Sequence, residues 1–274
     1  MGRVAAVTGL GNTPRMSEIL IAETLGTTRL ITMNRPQARN ALGGGLVTAL
    51  YSALVAADED PDVHVVVLTG ADPAFCAGVD LKEAARDGKK YFDQFEGTNC
   101  VGQVARMRTP VIGAVNGPAF TGGLEIALGC DFLIASERAV FADTHARVGV
   151  LPGGGLTAHL PLFVGVGNAR RMSMTGALVD AAEALRIGLV TEVVPHAELR
   201  ERALAVAASV GEVDPRMTRG LKKVYGDGIA TYTGPASAAE ARGAIETPPA
   251  FAEIEQRRVE VMAGNRARLG ADRG

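Results

Sequence analysis

Two uninterrupted apolar runs restrict what this chain can fold into more than any other feature. Val63 to Gly70 reads VHVVVLTG, and Pro110 to Gly117 reads PVIGAVNG. A strand with one wet face alternates apolar and polar residues, whereas a continuous β-branched run marks a strand covered on both sides. Each run gives way to a loop of small residues and then to a helix-like stretch. The first is followed by DPAFCAGVDLKE (72–83) and the second by NGPAFTGGLEIALGCD (116–131). Buried strands leading through glycine-bearing loops into helices predict an α/β core.

The flanking pattern extends this reading. SEILIAETLGTTRLITMNRP (17–36) alternates on both sides of Gly26, as a hairpin does. Leu46, Leu50 and Leu54 recur at helical spacing in NALGGGLVTALYSALVAADED. A polar segment from Lys82 to Lys90 leads into a helix that ends by Met107. FLIAS, AVF and GLVTEVV read as short strands. Beyond Pro195 the pattern is helical, with stretches expected at 196–209, 215–225 and 236 to about 268, the last open to a break at Pro248–Pro249. The expected organisation is a flexible leader over 1–16, an α/β core over 17–195 and a C-terminal helical region over 196–274.

Composition excludes several classes. A net charge of −2 gives no basic face for nucleic acid. No apolar run reaches the roughly 18 residues that a membrane span needs, and the first residues lack the core and cleavage site of a signal peptide. Cys76, Cys100 and Cys130 lie far apart, which predicts reduced thiols in a cytoplasmic protein. The four histidines form no cluster with metal-ligand spacing. Triple glycines at 43–45 and 153–155 are not phosphate-binding loops, because no Gly-Lys-Ser/Thr follows either.

The chemistry concentrates around Glu125. It falls in the first turn of a helix opened by Gly122-Gly123, whose leading N–H groups have no internal acceptors and carry the positive end of the helix dipole. Two strand-to-helix loops, each presenting free N–H groups beside small residues, could converge on one oxygen as an oxyanion hole. That suits a reaction passing through the enolate of a thioester. Glu125 is then either a general base toward water or a carbon-bound proton, or a helix-dipole glutamate facing solvent. Cys76 reads as a small buried thiol and Asp80 as the cap of the following helix.

Five segments together resemble the enoyl-CoA hydratase/isomerase (crotonase) superfamily, in that family's order: NRPQARNAL (34–42), AFCAGVDLKE (74–83), PVIGAVNGPAFTGGLEIALGCD (110–131), FADTHARVGVLPGGG (141–155) and TGALVDAAEALRIGLVTEVV (175–194). The resemblance implies a spiral of ββα units with a C-terminal helical trimerisation region, assembling as a homotrimer or a dimer of trimers. It implies an acyl-CoA substrate, with CoA part of the substrate and no separate cofactor or metal. Ala77 and Gly122 would supply the oxyanion N–H groups, and Glu125 would match the glutamate that activates water. Gln37, Ala38 and Arg39 would lie near the CoA adenine and phosphates, with Arg39 a phosphate partner. Ala77, Gly78, Val79, Asp80 and Gly122 would complete the substrate contacts. The family's second catalytic glutamate position holds His145. Three functions remain open: hydration with His145 as proton donor, double-bond isomerisation, or acyl-CoA binding without catalysis.

Overall fold

The computed structural model describes residues 19–248 and 250, and beyond them 253, 254, 256, 257, 259–261 and 263–265. The expected leader over 1–16 and the end of the last expected helix lie outside the described residues. The hairpin comprises β1 (Leu20–Leu25) and β2 (Thr28–Met33), turning through Gly26 at φ +61. Helix α1 (Gly44–Glu59) follows and fully buries Leu46, Leu50 and Leu54, each burial worth roughly 1.5–3 kcal/mol. Strand β3 (Val65–Gly70) comes from the first apolar run and β4 (Val111–Val115) from the second.

Between them the polar segment proves helical, with α2 (Leu81–Asp87), α3 (Lys89–Gly97) and α4 (Cys100–Arg106) in succession. Local caps set their limits. Asp80 Oδ1 accepts from Lys82 N at 3.2 Å and Glu83 N at 3.4 Å, and Asn99 Oδ1 accepts from Gly102 N at 2.8 Å. The cap role expected of Asp80 is therefore present.

The rest of the chain runs through β5 (Ala119–Phe120), α5 (Gly122–Gly129), β6 (Phe132–Ser136), β7 (Val140–Ala142), α6 (His145–Val148), α7 (Leu156–Thr175), β8 (Val179–Asp180), α8 (Ala181–Arg186), β9 (Glu192–Val194), α9 (Leu199–Gly211) and α10 (Pro215–Glu246). The main sheet has the order β1-β2-β3-β4-β6-β9 and is parallel except for the hairpin. A small sheet, β5-β7-β8, stands beside it. One face of the main sheet joins the core that contains Leu46, Val104, Leu124 and Leu160. The other is covered by α9, whose Leu199, Ala203 and Ala207 pack on Leu30, Val67, Ile112 and Ile134. Burial on both faces explains why the strand sequences are apolar throughout.

Helix α10 departs from the pattern read in the sequence. It is one helix of 32 residues, and it continues through Gly226, Gly228, Gly234 and Pro235, where two separate helices were expected. Tertiary anchors override the weak local propensity. Arg219 Nη2 donates to Val63 O at 3.1 Å, Lys222 Nζ pairs with Asp131 Oδ2 at 2.8 Å, and Glu240 is buried against the body of the protein near the other end.

Candidate active site

The loops after β3 and β4 are pinned together. Cys76 and Ala119 form an isolated parallel bridge, with Cys76 N donating to Pro118 O at 3.1 Å and Phe120 N to Cys76 O at 3.0 Å. The first turn of α5 rests directly on this junction, since a Cβ on Gly123 would lie 2.0 Å from Cys76 O. A third segment closes in from the chain preceding α1, where Leu42 N donates to Gly78 O at 2.8 Å. Asn40, fully buried at φ +54, ties that segment down by donating from Nδ2 to Ala71 O and Ala74 O.

This junction decides which amides are free. Ala77, the residue expected to offer its N–H, donates it to Arg39 O at 3.0 Å. The crossing segment consumes that donor, so the expectation is corrected at this position. Val79 N–H and Gly122 N–H, by contrast, have no acceptor among the described residues. They are neighbours: a Cβ built on Gly122 would sit 3.7 Å from Val79 N, and one built on Gly78 would sit 3.2 Å from Gly122 N. Gly78 holds φ +90, and a Cβ there would come within 1.9 Å of Thr121 Oγ1, so only glycine fits. Thr121 itself takes φ +47 and ψ −115, a strained backbone for a β-branched residue that costs about 1–3 kcal/mol. The strain lies immediately before the free amide of Gly122.

Glu125 is 7% exposed on a helix buried on all sides. Its Oε1 accepts from Gly154 N at 2.8 Å, while Oε2 accepts no hydrogen bond among the described residues. Burial lifts its pKa. His145 and the Gly154 N–H oppose the shift, Glu240 and Asp143 add to it, and the balance stays raised. Solvent-facing dipole duty is thereby excluded for this residue.

His145 opens the short α6 and is 6% exposed. Asp143 Oδ1 accepts both its backbone N–H at 3.1 Å and its Nδ1–H at 2.8 Å, which leaves Nε2 without a partner among the described residues. Burial disfavours the imidazolium. The Asp143 hydrogen bond and the charges of Glu125, Asp143 and Glu240 outweigh burial and raise the His145 pKa. The carboxyl of Asp143 is itself driven up by burial but held below its ordinary value by His145 and a hydrogen bond from Ser173. Asp143 is two residues from His145 in sequence, but the grip of its Oδ1 on both the backbone N–H and the ring N–H of His145 is visible only in three dimensions.

Gln37, Ala38 and Arg39 form a one-turn 3-10 segment and its cap. Gln37 and Arg39 are exposed, and the Arg39 guanidinium has no ion-pair partner among the described residues. Asp80 is committed elsewhere: besides capping α2, it pairs with Arg35 Nη2 at 3.2 Å. Burial pushes the Cys76 thiol up to about 12, so it is inert near neutrality. All three cysteines are free and buried. A separate cavity of about 280 Å³ on the α9 face is lined by Thr69, Asp72, Asn116 and His196. Its polar groups satisfy one another, with Asp72 bonded to Asn116 at 2.9 Å and to His196 at 3.0 Å, and it opens on the sheet face opposite the core of α5. No His, Cys, Asp and Glu cluster suited to a metal ion occurs among the described residues.

The triple glycine at 153–155 is the main functional feature that sequence reasoning passed over. Its Gly154 amide orients Glu125, and a Cβ on Gly154 would sit 2.6 Å from Glu125 Oε2. A run of glycines without a phosphate motif still signalled a close backbone approach.

A buried carboxylate near main-chain N–H groups that have no acceptor among the described residues, on an α/β scaffold, is an arrangement suited to acid–base chemistry on a polarised carbonyl. Known proteins make the class specific. The family model described as enoyl-CoA hydratase/isomerase matches residues 23–256. A Rhizobium meliloti (strain 1021) protein named "Probable enoyl-CoA hydratase" is 44% identical over 195 residues, covering 70% of this chain and 75% of that one. An Arabidopsis thaliana protein named "Probable enoyl-CoA hydratase 1, peroxisomal" is 38% identical over 211 residues, covering 77% and 79%. The crystal structure of enoyl-CoA hydratase from Mycobacterium smegmatis is 50% identical with a TM-score of 0.75, covering 84% of this chain and 98% of that one. The chain belongs to the enoyl-CoA hydratase/isomerase (crotonase) family and is an enzyme of that family.

Proposed function

We propose that the enzyme adds water across the double bond of a trans-2-enoyl-CoA. One observation carries this reading: Glu125 is buried with Oε2 unpartnered among the described residues, on the helix whose leading amide also has no acceptor among them. In the proposed reaction the thioester oxygen lies between Val79 N–H and Gly122 N–H. Glu125 Oε2 takes a proton from water as the water oxygen bonds to the β-carbon. The electron pair of the double bond moves to the thioester oxygen, where each amide stabilises the enolate by about 2.7–4 kcal/mol. His145, protonated and fixed by Asp143, gives its Nε2 proton to the α-carbon as the carbonyl re-forms. No step calls for a metal or a redox group. CoA enters as part of the substrate.

The test is loss of enoyl absorbance on mixing with crotonyl-CoA and longer enoyl-CoAs. Tight binding without turnover at every chain length would overturn hydration in favour of an acyl-CoA-binding protein. Isomerisation would instead appear as conversion of a trans-3-enoyl-CoA to its 2-enoyl isomer without water uptake.

The acid–base assignment fixes the pH profile. Activity needs Glu125 ionised and His145 protonated. Burial raises the Glu125 pKa, so the acid limb of kcat/KM lies above the ordinary carboxylate range. The Asp143 bond and nearby carboxylates raise the His145 pKa against burial, so the alkaline limb lies above the ordinary imidazole value. Asp143→Asn removes the anion that favours the imidazolium and is expected to move the alkaline limb to lower pH, while His145→Gln abolishes that limb. An alkaline limb unchanged in both variants would dismiss His145 as the acid.

Arg39, exposed and without an ion-pair partner among the described residues, supports a role at a CoA phosphate. Replacing it with alanine is expected to raise KM about 2–5-fold at constant kcat, the scale of an exposed ion pair. Equal KM values for wild type and variant at low salt would remove it from the binding site.

The apolar residues Met217, Leu221, Val224, Ile229 and Tyr232 are exposed along α10, which favours assembly of this chain with copies of itself, read here as a homotrimer or a dimer of trimers. The free, buried thiols favour a reducing compartment such as the cytoplasm.

A further inference from the structure

Among its described residues α10 buries one side chain, and that side chain is charged. Glu240 is 9% exposed. An unpaired carboxylate in such a place would lose several kcal/mol, but Glu240 is fully engaged. Its Oε1 accepts from Gly155 N at 2.7 Å, and its Oε2 accepts from Thr157 N at 2.8 Å and from the Thr157 hydroxyl. These donors form the N-terminus of α7, where Gly155 is the N-cap at φ +95 and has no side chain to cap the helix itself. The cap comes instead from a distant helix.

The preceding residue gives this cap its significance. Gly154 N–H is the hydrogen bond that orients Glu125. Consecutive amides of one glycine turn are therefore gripped by two carboxylates, Gly154 by Glu125 from α5 and Gly155 by Glu240 from α10. A turn of glycines has little stiffness of its own, so its position is set by what holds it. We propose that Glu240 is a positioning residue for the reaction: by clamping the 153–155 turn it fixes the aim of the Glu125 carboxylate, and so makes docking of α10 a condition of activity. The inference rests on the reading of Glu125 as the base. Glu240 also acts at a distance, as its charge favours the protonated forms of both Glu125 and His145.

The test compares Glu240→Ala and Glu240→Gln with Glu125→Gln, using crotonyl-CoA. Displacement of a catalytic group by about 1 Å can cost 10²-fold, so Glu240→Ala is expected to lose about 10–100-fold in kcat with little change in KM. Glu240→Gln keeps an acceptor oxygen and the side-chain shape, and is expected to lose less. In both variants the limbs of the pH profile move to lower pH, because an anion beside Glu125 and His145 is gone. A merely structural cap would lower thermal stability and leave kcat of the folded variants at the wild-type value, and that result overturns the proposal. So does a folded Glu240→Gln with wild-type kcat and limbs. If Glu240→Ala does not fold, the Gln variant decides alone. Should Glu125→Gln retain full activity, the base assignment fails. If Glu125→Gln is inactive while both Glu240 variants behave as wild type, only the clamp fails.

Discussion

Glu125→Gln is expected to lower kcat for hydration of crotonyl-CoA by 10²–10⁴-fold, the range for removing a general base. Glutamine keeps the volume of the side chain and can still accept the Gly154 N–H, so the buried site stays filled. What it removes is basicity at Oε2, the oxygen without a partner among the described residues. Binding of the CoA ester should change little, because the loss falls on a proton transfer rather than on ground-state contacts. Folding should not suffer either: a buried ionised carboxylate is costly, and burial already raises the Glu125 pKa, so a neutral isostere is at least as compatible with the core. Thermal unfolding of the variant at or above the wild-type temperature, together with a collapsed kcat, is the combined signature. A kcat within threefold of wild type would remove Glu125 from the reaction.

The second large effect is expected at Gly78. Alanine there must carry its Cβ at φ +90, 1.9 Å from Thr121 Oγ1 and 2.7 Å from Phe120 O. The hydroxyl can rotate away, but the carbonyl is backbone and cannot. The two loops must part, and with them Val79 N–H and Gly122 N–H. Loss of one donor to a developing oxyanion typically costs 10²–10³-fold in kcat, and Gly78→Ala is expected to fall at least that far. Because such a variant also strains the fold, a cleaner comparison replaces single amides by esters through α-hydroxy acids. An ester at Val79 deletes a free N–H and should cost about 10²–10³-fold in kcat. An ester at Ala77 deletes the hydrogen bond to Arg39 O and should cost about 1 kcal/mol of stability with kcat nearly intact. The reverse outcome would return the donor role to Ala77.

The contrast between those two amides shows where sequence reading reaches its limit. The buried strands, the hairpin and the periodic face of α1 were legible because burial on a regular element writes a local period. The cap at Asp80 and the first-turn location of Glu125 were legible for the same reason: each depends on residues within one helical turn. The choice between Ala77 and Val79 is not local. It depends on a carbonyl from residue 39 crossing the loop, and nothing in AFCAGVDLKE records that crossing. The Lys82–Lys90 stretch escaped because its helices are short and mostly exposed, so caps rather than an apolar stripe define them. α10 escaped for the opposite reason, as its glycines and Pro235 read as breaks while distant anchors hold it straight. Nothing in the local sequence marks Glu240 as buried. Only the fold shows that it caps a helix from an earlier part of the chain.

The N–H groups of Val79 and Gly122, which have no acceptor among the described residues, belong to the main chain. A point mutation at codon 79 exchanges a side chain and leaves the N–H beneath it in place; proline alone erases it. Side chains around residues 79 and 122 are therefore open to exchange by mutation without loss of the two N–H groups.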